Sequence, residues 1–181
     1  KHPIFTGSGV AIVTPFSQEG VNLDTFACLL DTQLEAGTDA VIVCGTTGEA
    51  STMTYDERMA AVEFCVDHVD GRVPVIAGTG SNNTENAIAL SRDAQRAGAD
   101  GILVVTPYYN KATQEGLYRH YTAVADAVEV PMILYDVPSR TGVAIQPETY
   151  ARLSQHPNIV GVKEAGGNFA QMQRTRNLCP E

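Results

Sequence analysis

The sequence predicts an α/β fold of repeated strand–helix units, which we interpret as a (β/α)8 TIM barrel to which this chain contributes about the first six units. Two observations support this prediction. Apolar runs rich in β-branched residues recur about every thirty residues, and each is followed by a helical pattern of apolar residues. Strands that are apolar on both faces and joined through helices form parallel sheets covered by helices.

Six segments have the character of buried strands, because they are short, apolar and bounded by glycine, proline or polar residues. The predicted strands span residues 10–13, 40–44, 74–77, 101–105, 131–135 and 159–163. Helices are predicted at residues 24–36, 54–69, 83–97 and 113–127, with shorter helices beginning near residues 147 and 168. No linker rich in Pro, Gly or Ser interrupts the series, so residues 1–181 are expected to form a single domain.

Capping residues mark several of these boundaries. Asp24 can cap the first helix, and Gly37 can end it. Thr54 and Glu57 have the spacing of a capping box, in which two residues satisfy each other's backbone N–H groups. Pro147 suits the first position of a helix, where the missing N–H group is not needed.

Polar residues and glycines cluster after the predicted strands. They follow five of the six strands: Thr46, Thr47, Gly78, Gly80, Tyr108, Tyr109, Tyr135, Arg140 and Lys163. A doubly wound open sheet and a barrel both place functional residues at this edge. An open sheet concentrates them at one switch point, whereas a barrel gathers them from many strands. The spread over successive strand ends favours the barrel.

Lys163 is the candidate nucleophile. It ends an apolar run and is followed closely by two glycines at residues 166 and 167. A lysine at the mouth of a buried strand loses hydration, which disfavours the ammonium form and leaves an amine that can attack a carbonyl carbon. The alternative is a lysine that simply ends the strand and extends its charge into water.

Two further motifs are suited to holding carboxylates. Segment 45–49, with the sequence Gly-Thr-Thr-Gly-Glu, offers backbone N–H groups and hydroxyls, although a flexible turn would have the same composition. Arg140 can bind a carboxylate through two hydrogen bonds, or form a surface ion pair. Gly78 and Gly80 match half of a dinucleotide fingerprint, but Asn83 occupies the place of the third glycine, so nucleotide binding is not expected.

Composition excludes several classes of protein. The net charge is −9, from 12 basic and 21 acidic residues, and no Lys/Arg cluster indicates a nucleic-acid surface. The His and Cys residues lack zinc-site spacing, so no metal is expected. No apolar run approaches the ~18 residues of a membrane span, and no signal-peptide core begins the sequence. We therefore expect a cytoplasmic protein whose cysteines are mostly buried free thiols.

These motifs together resemble the dihydrodipicolinate synthase family of the pyruvate-dependent class I aldolases. The matching segments span residues 9–16, 44–49, 75–80, 105–111, 114–118, 133–142 and 161–165. The resemblance implies that Lys163 forms a Schiff base with pyruvate, whose enamine adds to aspartate 4-semialdehyde. The implied product is 4-hydroxy-tetrahydrodipicolinate, an intermediate of lysine and diaminopimelate biosynthesis. No metal or organic cofactor is implied, because the lysine itself supplies the electron sink.

The resemblance also implies a set of site residues. The implied catalytic residues are Lys163, Tyr135, Thr46 and Tyr109, and the implied substrate-binding residues are Thr47, Gly48 and Arg140. Tyr135 and Thr46 would carry protons, whereas Tyr109 would act across a dimer interface in a dimer of dimers. Arg140 would hold the carboxylate of the semialdehyde. Asp136 stands where asparagine is more common in the family, which puts a negative charge beside the site.

Two alternatives remain open. N-acetylneuraminate lyase and related sugar-acid aldolases share the lysine, the tyrosine and a similar loop, but generally lack an arginine at the position of Arg140. A non-catalytic assembly module is the alternative from another class. The family's last two βα units and its C-terminal helical region have no counterpart in residues 1–181, so an incomplete barrel is expected.

Overall fold

A computed structural model describes residues 1–179, in which strands and helices alternate. The strands are β1 (Gly9–Ala11), β2 (Phe16–Ser17), β3 (Gly20–Val21), β4 (Ala40–Val43), β5 (Val75–Gly78), β6 (Gly101–Val105), β7 (Met132–Asp136) and β8 (Ile159–Glu164). The helices are α1 (Leu23–Glu35), α2 (Tyr55–Val69), α3 (Thr84–Arg96), α4 (Gln114–Asp126), α5 (Pro138–Thr141), α6 (Pro147–Leu153) and α7 (Phe169–Leu178).

The main sheet confirms the repeated strand–helix units. Its six strands lie in the order β1-β4-β5-β6-β7-β8, and every neighbouring pair is parallel. A doubly wound sheet would reverse its strand order at a switch point, whereas a barrel keeps the order of the chain. The sheet is therefore the six-stranded part of a (β/α)8 barrel, with β1 and β8 at its two edges within residues 1–179.

Alternating residues of the strands pack into two apolar clusters. Val41 and Val43 face the helices, where they join a large cluster that includes Phe26 and Leu117. Ile42 faces the other way, into a smaller cluster on the inner side of the sheet. The same alternation separates Leu134, on the helix side, from Tyr135, on the inner side. Residues that end strands can therefore reach the inner side only at every second position.

Most predicted helix boundaries are confirmed. Thr54 and Glu57 form the capping box, and Asn83, Thr113 and Asn168 cap their helices. The cap of α1 was predicted wrongly: it is Asn22, whose side chain accepts a hydrogen bond from the Thr25 N–H at 3.0 Å.

The short β2–β3 hairpin before α1 was not predicted, because strands of two residues leave no periodic pattern. Helix α5 was likewise not predicted, since a helix of four residues is too short to show a period.

Strand β8 is less buried than predicted. Its first residue, Ile159, is 3% exposed, but Val162 is 42% exposed and Lys163 is also exposed. Within residues 1–179, β8 is hydrogen-bonded to β7 on one side and has no strand on the other. The prediction of a buried strand failed here, because an edge strand exposes side chains that a second neighbour would cover.

The exposure of the cysteines is mixed. Cys44 and Cys65 are buried free thiols, as expected, whereas Cys28 is exposed and Cys179 is partly exposed. Across residues 1–179, no helix combines the length and the apolar character needed to cross a membrane.

His120 on α4 is expected to make the fold sensitive to acid. Its side chain is buried, its Nδ1 lies 2.9 Å from the Thr84 hydroxyl, and its Nε2 has no hydrogen-bond partner within residues 1–179. Burial lowers the pKa of His120 from 6.5 to about 4. Because the unfolded chain then binds the proton more readily, stability is lost as pH falls through this window, by about 3 kcal/mol when complete.

The measurement is urea denaturation at neutral pH and near the acid end of the window. His120→Gln should lose less stability on acidification than the unmodified protein. His2→Gln, at an exposed histidine, is the matched control and should behave like the unmodified protein. Equal acid sensitivity in His120→Gln and the unmodified protein would show that another group is responsible.

Candidate active site

A cavity of about 450 Å³ opens at the carboxyl ends of strands β4 to β7. Its lining comes from the segments that follow these strands and from the start of α2. The lining residues are Cys44, Gly45, Thr46, Ala50, Ser51, Arg58, Gly78, Gly80, Leu103, Val105, Tyr108, Tyr135, Val137, Arg140 and Thr141. Six of the nine strand-end residues named from the sequence line this cavity, among them the predicted site residues Thr46, Tyr135 and Arg140. The other predicted site residues, Thr47, Gly48, Tyr109 and Lys163, are not part of its lining.

Two glycines allow the strand ends to approach each other closely at this cavity. A Cβ atom at Gly78 would overlap the carbonyl oxygen of Cys44, and one at Gly80 would overlap the backbone nitrogen of Val105. These contacts are between backbone atoms, which cannot move aside as a flexible side chain can. The glycines therefore serve close backbone packing.

Tyr135 and Lys163 lie side by side across β7 and β8. They are register partners in the parallel pair, so their side chains project from the same face of the sheet. The Lys163 Nζ lies 4.5 Å from the centroid of the Tyr135 ring. Tyr135 is 7% exposed and lines the cavity. The structure therefore brings the candidate nucleophile to a phenol.

The environment of Lys163 differs from the one predicted. The sequence suggested an amine in a water-poor position, but Lys163 is exposed in the part of the chain that the structure describes. The reason is the edge position of β8, which lacks a strand on its outer side within residues 1–179. Strand β7 covers one flank of the side chain through Tyr135 and leaves the other open.

The loop after β4 leaves two backbone donors available. The N–H groups of Gly48 and Glu49 donate to the carbonyls of Gly45 and Thr46, both at 3.1 Å. The N–H groups of Thr46 and Thr47 have no acceptor within residues 1–179. Two adjacent unpaired N–H groups, one of them on a residue that lines the cavity, suit a carboxylate.

Gly48 lies behind these donors and away from the cavity. It is buried, and its carbonyl oxygen accepts a hydrogen bond from the Thr14 hydroxyl at 2.8 Å. A Cβ atom at this position would crowd the Thr14 hydroxyl and the Ile12 carbonyl oxygen. Gly48 therefore shapes the loop, and its own backbone groups are engaged within the protein.

Arg140 reaches the cavity from α5. Pro138 begins this one-turn helix, and the Arg140 N–H donates to the Val137 carbonyl at 2.9 Å. The side chain is exposed, and no carboxylate forms an ion pair with it within residues 1–179. No acidic residue in the described part of the chain therefore pairs with Arg140, so the alternative role in a surface ion pair is not supported.

Tyr109 is not gathered with the other site residues in this chain. It is 88% exposed and does not line the cavity, although its neighbour Tyr108 does. Its φ of 71° lies in the left-handed region, which non-glycine residues rarely adopt, and its N–H donates to the Thr141 carbonyl at 3.3 Å. An exposed ring on a strained backbone is typical of a residue with a functional role.

Arg58 and Cys44 line the cavity but were not among the predicted site residues. The Arg58 guanidinium donates to the Gly78 carbonyl at 2.8 Å, and burial lowers its pKa. Burial raises the pKa of the Cys44 thiol to about 11, which keeps the thiol neutral and unreactive. No sequence signal identified Arg58, because its place on the first turns of α2 does not reveal which cavity the helix faces.

The lining of the cavity is positively charged although the protein is acidic. It contains two arginines, Arg58 and Arg140, and no aspartate or glutamate. The net charge of the whole chain is −9, so the charge of the cavity is opposite to that of the protein. Such a cavity attracts small anions. Within residues 1–179, no group of three or more His, Cys, Asp or Glu side chains is placed to hold a metal ion.

Comparison with known proteins identifies a family. The sequence profile of the dihydrodipicolinate synthetase family matches residues 4–181. A curated relative from Geobacter sulfurreducens, named 4-hydroxy-tetrahydrodipicolinate synthase, is 58% identical over 176 residues, which are 97% of this chain and 61% of the relative.

Solved structures agree with this assignment. Dihydrodipicolinate synthase from Aquifex aeolicus superposes with a TM-score of 0.95 at 44% identity, over 98% of this chain and 61% of that one. The chloride-inhibited dihydrodipicolinate synthase from Acinetobacter baumannii, solved in complex with pyruvate, has a TM-score of 0.90 at 46% identity, over 96% of this chain and 61% of that one. The chain thus spans about three fifths of the length of its relatives.

Proposed function

Because the chain belongs to the dihydrodipicolinate synthetase family, we propose that it provides the Schiff-base site of an enzyme that condenses pyruvate with aspartate 4-semialdehyde. The observation that carries this proposal is the pair formed by Lys163 and Tyr135: the Lys163 amine lies 4.5 Å from the centroid of the Tyr135 ring, and Tyr135 lines the cationic cavity. An amine beside a phenol, near donors for carboxylates, is what imine chemistry on a keto acid requires.

The proposed reaction begins at the Lys163 amine. It attacks the ketone carbon of pyruvate, and loss of water leaves a protonated imine. The imine draws electrons from the adjacent methyl carbon, which releases a proton and becomes a nucleophilic enamine. The enamine carbon then bonds to the aldehyde carbon of the semialdehyde, whose oxygen takes up a proton. Finally the semialdehyde's own amine attacks the imine carbon, and Lys163 leaves as the ring closes.

The other site residues have separate proposed roles. Tyr135 and Thr46 carry protons, since both line the cavity. The free N–H groups of Thr46 and Thr47 hold the pyruvate carboxylate, and Gly48 keeps their loop in shape. No metal or organic cofactor takes part in this scheme, because the protonated imine is the electron sink.

We further propose that the site is completed outside the described residues. Tyr109 is exposed and does not line the cavity of its own chain. Such a residue could contribute to the site of a second copy in a homo-oligomer such as a dimer of dimers. Strand β8 would gain a second neighbour in a closed single-domain barrel, which would shield Lys163 from water. A biosynthetic role of this kind implies a cytoplasmic location, which stays a prediction.

The test is a comparison of acceptors. With pyruvate as donor, we expect product from aspartate 4-semialdehyde and no comparable turnover with N-acetylmannosamine, the acceptor of the sugar-acid lyases. Faster turnover with N-acetylmannosamine would favour that alternative, and no turnover with either in a folded sample would favour an assembly module.

Arg140→Ala tests how the second substrate is held. The KM for the semialdehyde should rise by about 10-fold or more, whereas the KM for pyruvate should change little, because a lost charge-assisted hydrogen bond is worth about 1.5–3 kcal/mol. Arg119→Ala is the matched control, because Arg119 is an exposed arginine on α4 that does not line the cavity. Equal changes for both substrates would contradict the proposed role of Arg140.

A further inference from the structure

A buried carboxylate lies directly behind the candidate site. Asp136 follows Tyr135 on β7 and therefore projects from the opposite, helix-facing side of the sheet. It is 1% exposed. Its Oδ2 accepts hydrogen bonds from the Ile145 N–H and from the Tyr150 hydroxyl, both at 3.0 Å. Its Oδ1 is buried and has no hydrogen-bond partner within residues 1–179.

Hydroxyl groups surround the Asp136 carboxyl. The Tyr121 hydroxyl of α4 is also buried and has no hydrogen-bond partner within residues 1–179. The Thr106 hydroxyl after β6 donates to the Tyr135 carbonyl at 3.0 Å, so its oxygen can still accept a hydrogen bond from a protonated carboxyl group. Tyr150 of α6 is the third hydroxyl. A carboxyl group among three hydroxyls can take up a proton without losing its existing partners.

The nearest charge is a second carboxylate. Glu164 on β8 is the register partner of Asp136, so the two side chains lie on the same face of adjacent strands. Glu164 accepts a hydrogen bond from the Gly166 N–H and therefore shapes the turn after Lys163. Burial, with the Glu164 charge adding to it, raises the pKa of Asp136.

Two cationic residues share a cavity with Glu164. Lys1 and Arg176 line a second cavity, of about 510 Å³, together with Glu164 and Tyr150. The Lys1 amine donates to backbone carbonyls, those of Ser154 and Ile159 among them. Lys163 projects from the opposite face of the sheet. Of the two carboxyls, Asp136 is thus the one buried among hydroxyls, whereas Glu164 is only partly buried and shares a cavity with two cationic residues.

We propose that Asp136 and Glu164 form a coupled carboxylate pair that holds one proton, and that the protonated pair positions the strand ends that carry Tyr135 and Lys163. One hydrogen bond links Asp136 to the site. The backbone carbonyl of Asp136 accepts it from the N–H of Ala165, at 2.8 Å, and Ala165 lies two residues after Lys163. When both groups are ionised, two like charges on adjacent strands repel each other and loosen this connection.

The direction of the pH effect follows from the folded state binding the proton more tightly than the unfolded state. Stability contributed by the protonated pair is present at low pH and is lost as pH rises through the raised pKa of Asp136. Asp136→Asn replaces the carboxyl group with a neutral group of the same shape, so the variant should not show this loss of stability. The advantage of Asp136→Asn over the unmodified protein should therefore grow as pH rises and then level off.

The experiment compares urea denaturation midpoints across the weakly acidic to weakly alkaline range. Besides Asp136→Asn, it includes Glu164→Gln, which should make the total stability loss smaller and let it level off at lower pH, because Asp136 then ionises more easily. Asp67→Asn, at an exposed aspartate on α2, is the control and should run parallel to the unmodified protein. An Asp136→Asn advantage that is constant with pH, or that shrinks as pH rises, would overturn the proposal.

Infrared spectroscopy provides an independent check. The band of a protonated Asp136 carboxyl group should be absent from the spectrum of Asp136→Asn. A spectrum unchanged by the substitution would count against the pair. The consequence for catalysis rests on the proposed function and is measured separately, by trapping pyruvate. The ratio of pyruvate trapping on Lys163 in Asp136→Asn to trapping in the unmodified protein should grow as pH rises. If neither protein traps pyruvate while the stability curves still diverge, the proposed function fails and the carboxylate pair stands.

Discussion

Replacing Lys163 with arginine is expected to abolish the borohydride-trapped adduct with pyruvate and to lower turnover by about 10⁴-fold or more. Arginine keeps the positive charge and most of the length of the side chain, but its guanidinium stays protonated and cannot form an imine. The change therefore removes the chemistry without removing the charge. Mass spectrometry of the Lys163 peptide, after reduction in the presence of pyruvate, measures the adduct directly.

The chain provides a close control for this substitution. It contains three lysines, Lys1, Lys111 and Lys163, and Lys111 is exposed in a segment that does not line the cavity. Lys111→Arg should trap pyruvate as the unmodified protein does. Because Lys163 is exposed, its replacement should leave the free energy of unfolding nearly unchanged, so a lost adduct cannot be attributed to unfolding. An adduct on Lys1 or Lys111, or one that persists in Lys163→Arg, would disprove the assignment.

Tyr135→Phe should have the second largest effect, a fall in turnover of about 10²–10³-fold, which is the usual range for loss of a proton-transferring group. The ring that lies beside the Lys163 amine is kept, so the position of the amine should not change. Trapping of pyruvate is therefore expected to become slower but to reach completion. Rapid mixing with pyruvate, followed by borohydride at timed intervals, separates the rate of imine formation from its final extent.

A matched substitution separates the role of the hydroxyl from general effects of tyrosine loss. Tyr118 on α4 contacts the Arg152 guanidinium with its ring, 3.9 Å from the centroid, and does not line the cavity. Tyr118→Phe should leave turnover within about twofold, in keeping with small effects of changes away from the site. If Tyr135→Phe retained most of its activity, the proton transfers would have to be carried by Thr46 or by another hydroxyl at the cavity, Tyr108 or Ser51.

Much of the fold was predictable because its signals are local. The strands are short apolar runs and the helices carry caps such as Thr54 with Glu57, so both depend on residues within a few positions of each other. Parallel pairing then followed from the alternation of strands and helices. The β2–β3 hairpin was missed because two residues cannot show a period. Asp24 was predicted as the cap although Asn22 is the cap, because the residue type of Asp24 is also a good cap.

The candidate site was predictable in part, for a different reason. Thr46, Tyr135 and Arg140 line the cavity as expected, because residues that end parallel strands meet at one edge of the sheet. Four predicted site residues do not line it: Thr47, Gly48, Tyr109 and Lys163. Gly48 is buried against Thr14, Tyr109 is 88% exposed, and Lys163 lies on the edge strand β8. Arg58 was found only from the structure, since the direction of a helix face depends on how the helix packs.

The sequence by itself determined the order of strands and helices and the residue types that arrive at the strand ends, because hydrophobic period and capping chemistry act over a few neighbouring residues. Tertiary structure alone decided the environment of those residues. It set Lys163 beside Tyr135 at an exposed edge, joined Asp136 to Glu164 behind them, and gathered two arginines in an acidic protein. Burial and the distances between charges arise from contacts between residues far apart in the chain, which no local pattern encodes.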